Sequence, residues 1–232
     1  MSDTETLTEE MDTDSADAGA TGTRPRSRPF VIAAAVVVLA LAVWTLTASL
    51  SDGTPTSQVP ATDSADAGFA RDMAVHHQQA VEMSYIVRDL TDDEDVRRLA
   101  YDIAQTQANQ RGMLSGWLDL WELPKISADG YMAWMKGKEH GEHQAKDGAL
   151  MPGMATAGEL EQLGRLKGRQ AEIRYLQLMI DHHMGGVTMA RACAQSCEVQ
   201  VEKKLAQGMV DAQQSEMELM TDMLKERGSA PR

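Results

Sequence analysis

Two stretches, DMAVHHQQAVEM at positions 72–83 and LMIDHHMGGVTM at 178–189, join a pair of adjacent histidines to methionines at matching spacings. The chain holds six histidines, all in three short groups: HH at 76–77, HGEH at 140–143 and HH at 182–183. Imidazole nitrogen suits Zn, Cu, Fe and Ni, whereas thioether sulfur selects soft ions, Cu(I) foremost. On a helix, residues three or four apart share a face, so Met73 stands beside His76 or His77, and Met179 beside His182 or His183. Neighbouring histidines diverge by about 100° around the helix, so one of each pair can enter a helical interior. A single buried histidine is ordinarily a satisfied polar group, and a methionine ordinarily fills core gaps. The repetition shifts the reading to a copper-binding site built on the two HH motifs. The HGEH pair, flanked by lysines, reads as a solvated loop.

The same residues exclude other chemistry. Di-iron bundles need inward carboxylates with Glu-x-x-His on two helices, and neither HH pair has a Glu three residues before it. Gln110 also stands where the second motif's half has Glu216. Cys193 and Cys197 have no adjacent base, so no nucleophile is set up. The expectation is a non-enzymatic protein. A redox role for bound copper would need an open coordination position, which a sequence does not display.

The histidine pairs need elements to hold them, and the chain repeats those elements. A gapless shift of 106 residues lays Met73 on Met179, both histidines on their counterparts, Met83 on Met189, Leu99 on Leu205, Gln107 on Gln213 and Leu118 on Leu224. This is an internal duplication in which each copy is a pair of helices. Ser64 or Asp66 can cap a first helix running to about Leu90. Thr91 with Glu94 predicts a capping box opening a second helix to about Leu120. Thr156 with Glu159 opens a short piece, Gly168 interrupts, a third long helix runs from about Arg169 to Cys193, and a fourth from near Ser196 to Gly228. Val96, Leu99, Ile103 and Leu114 recur at helical spacing, so each helix buries one face. The simplest packing is an antiparallel four-helix bundle. Repeats span about 66–120 and 169–228, joined by a loop at about 121–155 that carries Trp121, Trp134, the HGEH group and MPGM at 151–154. MPGM reads either as a Pro-Gly turn pinned by methionines or as a sulfur donor. Trp117 and Trp121, four apart, read as packing at the bundle edge.

Composition limits partners and address. A net charge of -13 and a pI near 4.8, without clustered Lys and Arg, argue against nucleic acid. Methionine is in excess, 16 in all and 14 of them beyond Met11. Residues 1–28 are polar, then basic at Arg24, Arg26 and Arg28, and read as a disordered cytoplasmic tail. Within 29–50, the stretch FVIAAAVVVLALAVWTLTASL is 21 residues without a charge, long enough to cross a membrane. A cleaved signal peptide is the rival, though its apolar part usually runs about 7–15 residues. The arginines before the span place the N-terminus in the cytoplasm, leaving the domain at 66–228 outside on a tether at 51–65. Outside, Cys193 and Cys197 can form a disulfide near a helix end. A Cu(I) thiolate pair and two free thiols remain open, and so does homo-oligomerisation.

FARDMAVHHQQAVEM, MPGM, YLQLMIDHHMGGVTMA and QQSEMELM resemble, in order, the motifs of the DUF305 family over about residues 66–226. The resemblance implies a ferritin-like four-helix bundle on the outer side of the cell membrane, copper-binding in some relatives. Carried over by position, the metal ligands would be Met73, His76, His77, Met83, Met179, His182, His183 and Met189. The first half departs from the motif, with Gln110 and Leu114 where Q-x-x-E-I-x-x-M has Glu and Met. The second keeps Gln213, Glu216 and Met220. The leading expectation is a membrane-anchored copper sequestration or tolerance protein. The alternative is an envelope structural or interaction module whose HH motifs only make core hydrogen bonds.

Overall fold

The computed structural model describes residues 59–135, 145, 146 and 148–232. The expected tail, membrane span and most of the tether lie outside these residues, as do His140 and His143. No helix among the described residues is long and apolar enough to cross a membrane. Every regular element described is helical: α1 (Ala65–Arg88), α2 (Glu94–Leu120), a 3-10 turn (Ala133–Met135), α3 (Ala157–Arg165), α4 (Gly168–Ser196) and α5 (Gln200–Glu226).

Local chemistry sets the helix starts, twice in a way the sequence misleads about. Ser64 caps α1, its hydroxyl accepting from the Ala67 N–H at 3.1 Å. The expected Thr91–Glu94 box does not form; Asp93 caps α2, accepting from Val96 N–H at 3.0 Å. Thr91 is instead buried, and its hydroxyl donates to the buried Glu172 carboxylate of α4 at 2.6 Å. A buried carboxylate without a donor costs more than a surface cap returns, so the tertiary bond wins. The Thr156–Glu159 box forms as read, opening α3. α5 starts at Gln200, later than the sequence suggests, and has no side-chain cap of its own. The N–H groups just ahead of it, those of Glu198 and Val199, donate to Asp66 of α1 at 2.9 and 2.7 Å.

α1 packs on α2 and α4 on α5 as two hairpins, and the halves meet along α1 and α4. Two apolar clusters form the core. One holds Phe69, Met73, Leu114, Leu118, Met189, Met209 and the cysteines; the other holds Met83, Val87, Ile103, Tyr175, Met179 and Met220. At the far end Arg227 binds Glu172 at 2.7 Å and Asp93 at 2.8 Å, tying α5 to α4 and to the cap of α2. Trp117 and Trp121 stack with centroids 6.2 Å apart, as expected of edge packing.

Candidate metal centre

His76 and His77 lie midway along α1, and His182 and His183 midway along α4, where side chains face the interior between the apolar clusters. All four are buried. His76 and His182, related by the 106-residue offset, stack at a centroid distance of 3.7 Å. The duplication thus brings both HH pairs to one waist where the halves meet.

Three of the four histidines are oriented by a second group. His182 Nε2 donates to the His76 carbonyl at 2.9 Å, and His183 Nε2 donates to the Glu216 carboxylate at 2.7 Å. His77 Nε2 donates to the Gln110 amide oxygen at 2.9 Å. The last two contacts are the same contact in the two halves, with Gln110 replacing Glu216. Carboxylate and carbonyl oxygens only accept, so these bonds fix the Nε2–H tautomer and leave Nδ1 with its lone pair. The Nδ1 atoms of His77, His182 and His183 and both nitrogens of His76 have no hydrogen-bond partner. Beside them both amide atoms of Gln107 and the oxygen of its counterpart Gln213 are buried without partners too.

Burial, above all, holds His76 and His182 well below the usual imidazole range; neighbouring histidines add to it. The Pro152 carbonyl beside His76 pulls weakly the other way. Burial likewise brings His77 down to about 3, against the opposing hydrogen bond from Gln110. His76, His77 and His182 are therefore neutral imidazoles, the form that binds metal.

The MPGM segment closes over this waist. Gly153 has φ +80°, a conformation glycine adopts freely. The Pro152 carbonyl lies so close to α4 that a Cβ on Gly185 would stand 2.1 Å from it. On the α1 side Gln79 grips the segment with both amide atoms, donating to Ala155 O at 2.9 Å and accepting from Ala155 N at 2.7 Å. Met151 and Met154 are buried in the cluster that holds Met73 and Met189, whereas Met83 and Met179 lie in the other cluster. The eight residues singled out by sequence are all buried, but in three groups: the histidines at the waist and a methionine pair in each flanking cluster. Sequence reasoning missed Gln79, Pro152 and Gly185. The HHMGG glycines were the available signal, since adjacent glycines inside a helix mark close backbone approach.

The cysteines form a disulfide between the last turn of α4 and its cap.

The family model described as "Domain of unknown function (DUF305)" matches residues 66–224. Among solved structures, a proposed secreted DUF305 protein from Streptomyces coelicolor is 64% identical, with 74% of this chain and 99% of that one covered and a TM-score of 0.67. A DUF305 fragment from Deinococcus radiodurans is 28% identical, covering 70% and 96%, with a TM-score of 0.57. CopM in its Cu(I)-bound form is 19% identical, covering 69% and 96%, with a TM-score of 0.52; at this identity the likeness is one of fold. No curated protein matches the chain. An all-α bundle, paired histidine motifs in register and a family model spanning both halves lead to one conclusion: the chain belongs to the DUF305 family.

Proposed function

We propose that this protein binds copper, as Cu(I), at the histidine waist and sequesters it or hands it on without catalysing a reaction. His76, His77, His182 and His183 would be the nitrogen donors, with Met73, Met189, Met83 and Met179 supplying thioethers from the flanking clusters. The observation that carries the proposal is that five of the eight imidazole nitrogens are buried without a partner, while the other bonds orient the rings. An unsatisfied buried polar atom costs about 1–3 kcal/mol, and a metal ion relieves several at once. CopM has been solved with Cu(I), Cu(II) and Ag, and Ag is the soft surrogate of Cu(I). The description of the Streptomyces coelicolor relative as secreted supports an extracytoplasmic domain. We further propose that residues 29–50 anchor it, N-terminus inside.

An anaerobic Cu(I) titration of the full chain against a chromogenic chelator tests the proposal, alongside the variant His76→Gln, His77→Gln, His182→Gln, His183→Gln. Loss of tight binding in a still-helical variant is expected. The envelope-module reading draws on the three Nε2 bonds at the waist, two within a hairpin and one, from His182 to the His76 carbonyl, between the halves. It predicts no wild-type binding, or equal binding by both proteins, with the variant chiefly destabilised.

A further inference from the structure

The two ends of the bundle are related by the duplication, yet they are built differently. Subtracting 106 from Cys193, Cys197 and Glu202 gives Val87, Thr91 and Val96, and adding 106 to Asp66 gives Glu172. At the Val87 end the buried acid is answered: Glu172 receives Thr91 at 2.6 Å and Arg227 at 2.7 Å, and both valines are fully buried. The fold therefore needs neither sulfur nor acid at these positions. At the other end the Cys193 and Cys197 sulfurs and a Glu202 oxygen lie within 4.8 Å of one another. Glu202 is 0% exposed, neither of its oxygens meets a donor in hydrogen-bond geometry, and no cation answers it as Arg227 answers Glu172. Asp66, alongside, accepts from the Glu198 and Val199 N–H groups through Oδ1, and its carboxylate faces the protonated carboxyl of Glu202, so the pair shares a proton where Glu172 meets a cation.

We propose that Cys193, Cys197 and Glu202 form a second cation site, closed by the disulfide and opened by its reduction, that takes a borderline-soft divalent ion such as Zn2+. Two thiolates and one carboxylate are a donor set Zn2+ favours, leaving its fourth position to water. The Cα atoms of the cysteines are 4.8 Å apart, close enough for both sulfurs to reach one ion at about 2.3 Å. Opening the pair takes two electrons and two protons, supplied by an external dithiol whose own sulfurs join. The ion then displaces three protons to solvent, one from each thiol and the one held by the Glu202 carboxyl. A surface groove of about 750 Å3, lined by Asp66, Ser196, Glu198 and Val199, flanks Cys197 in sequence on both sides; the sulfurs themselves are buried, so a reductant reaches them from this groove only as the α4–α5 junction opens. The site stands apart from the waist and does not depend on the copper reading.

The test is a Zn2+ titration of the full chain, oxidised and after anaerobic phosphine reduction with thiols counted, repeated with Co2+ for its thiolate charge-transfer band. The reduced chain should bind one more equivalent than the oxidised chain. The gain should vanish in Cys193→Ser, Cys197→Ser, weaken on the order of 10-fold or more in Glu202→Gln, and persist in the four-histidine variant. Equal binding before and after confirmed reduction, or a gain that survives loss of both cysteines in a chain of unchanged helicity, overturns the proposal. Failure of copper to bind at the waist would leave this gain intact, so the two readings fail separately.

Discussion

His76, His77 and His182 are held neutral by burial, His77 with its affinity for protons brought down to about 3. In the unfolded chain each takes a proton near pH 6.5. Between those values the unfolded state binds more protons than the native one, so native stability is full above 6.5 and falls as pH drops. Thermal unfolding from pH 7.5 to 5 should show a falling Tm, with a shallower slope in the four-histidine variant. Equal slopes would place the acid sensitivity elsewhere. The opposite sign holds at Glu202, whose carboxyl is pushed up to about 9 by burial and then by Asp66. Here the native state keeps a proton that the unfolded chain releases near 4.5, so the group costs stability increasingly as pH rises toward 9. In the disulfide-bonded protein, Glu202→Gln should raise Tm at pH 8 and do little at pH 4.5. Glu216 acts on the waist through His183 alone. Glu216→Gln should therefore weaken copper binding on the order of 10-fold while leaving helicity unchanged, as a chelator competition would show.

Among the elements, the helices were legible because 3.6-residue periodicity is a local property of the string, and the 106-residue offset can be read directly from it. Their caps were less so. Thr91 looked like a cap from its spacing to Glu94, and its real partner, Glu172, is 81 residues away. Asp66 caps α5 from α1 across 132 residues, a relation that no local pattern carries. The MPGM turn shows the same limit: its motif was visible, its docking on Gln79 and Gly185 was not. Gly185→Ala would drive a methyl group into the Pro152 carbonyl, at a cost of about 1–3 kcal/mol as the turn shifts. Chemical denaturation should register that loss. Gly208→Ala, with nothing within 4 Å of the added carbon, should instead be neutral or stabilising.

For the whole molecule, the meeting of the buried histidines could be anticipated because both HH pairs map onto each other at the 106-residue offset. The asymmetry of the halves was only partly readable. Gln110 against Glu216 stood out in the string, whereas the meaning of Glu202 emerges only when Val96 is seen to fill its counterpart's place in the packed core. The disulfide spans only Cys193 to Cys197, so in the chain-entropy picture it stabilises the native state by ~2 kcal/mol. Reduction should accordingly lower Tm by a few degrees without loss of helix, and hydrogen exchange should quicken at the α4–α5 junction alone. The seat of the Pro152 carbonyl on Gly185, with Gln79 clasping Ala155, has a further consequence that concerns time. An ion bound at the waist, as proposed above, would lie beneath that clasp, and its escape would wait on the loop lifting. With release from the opened site faster than reclosing, residence would be a property of the polypeptide hinge, and Cu(I) and Ag(I) would depart at one shared rate.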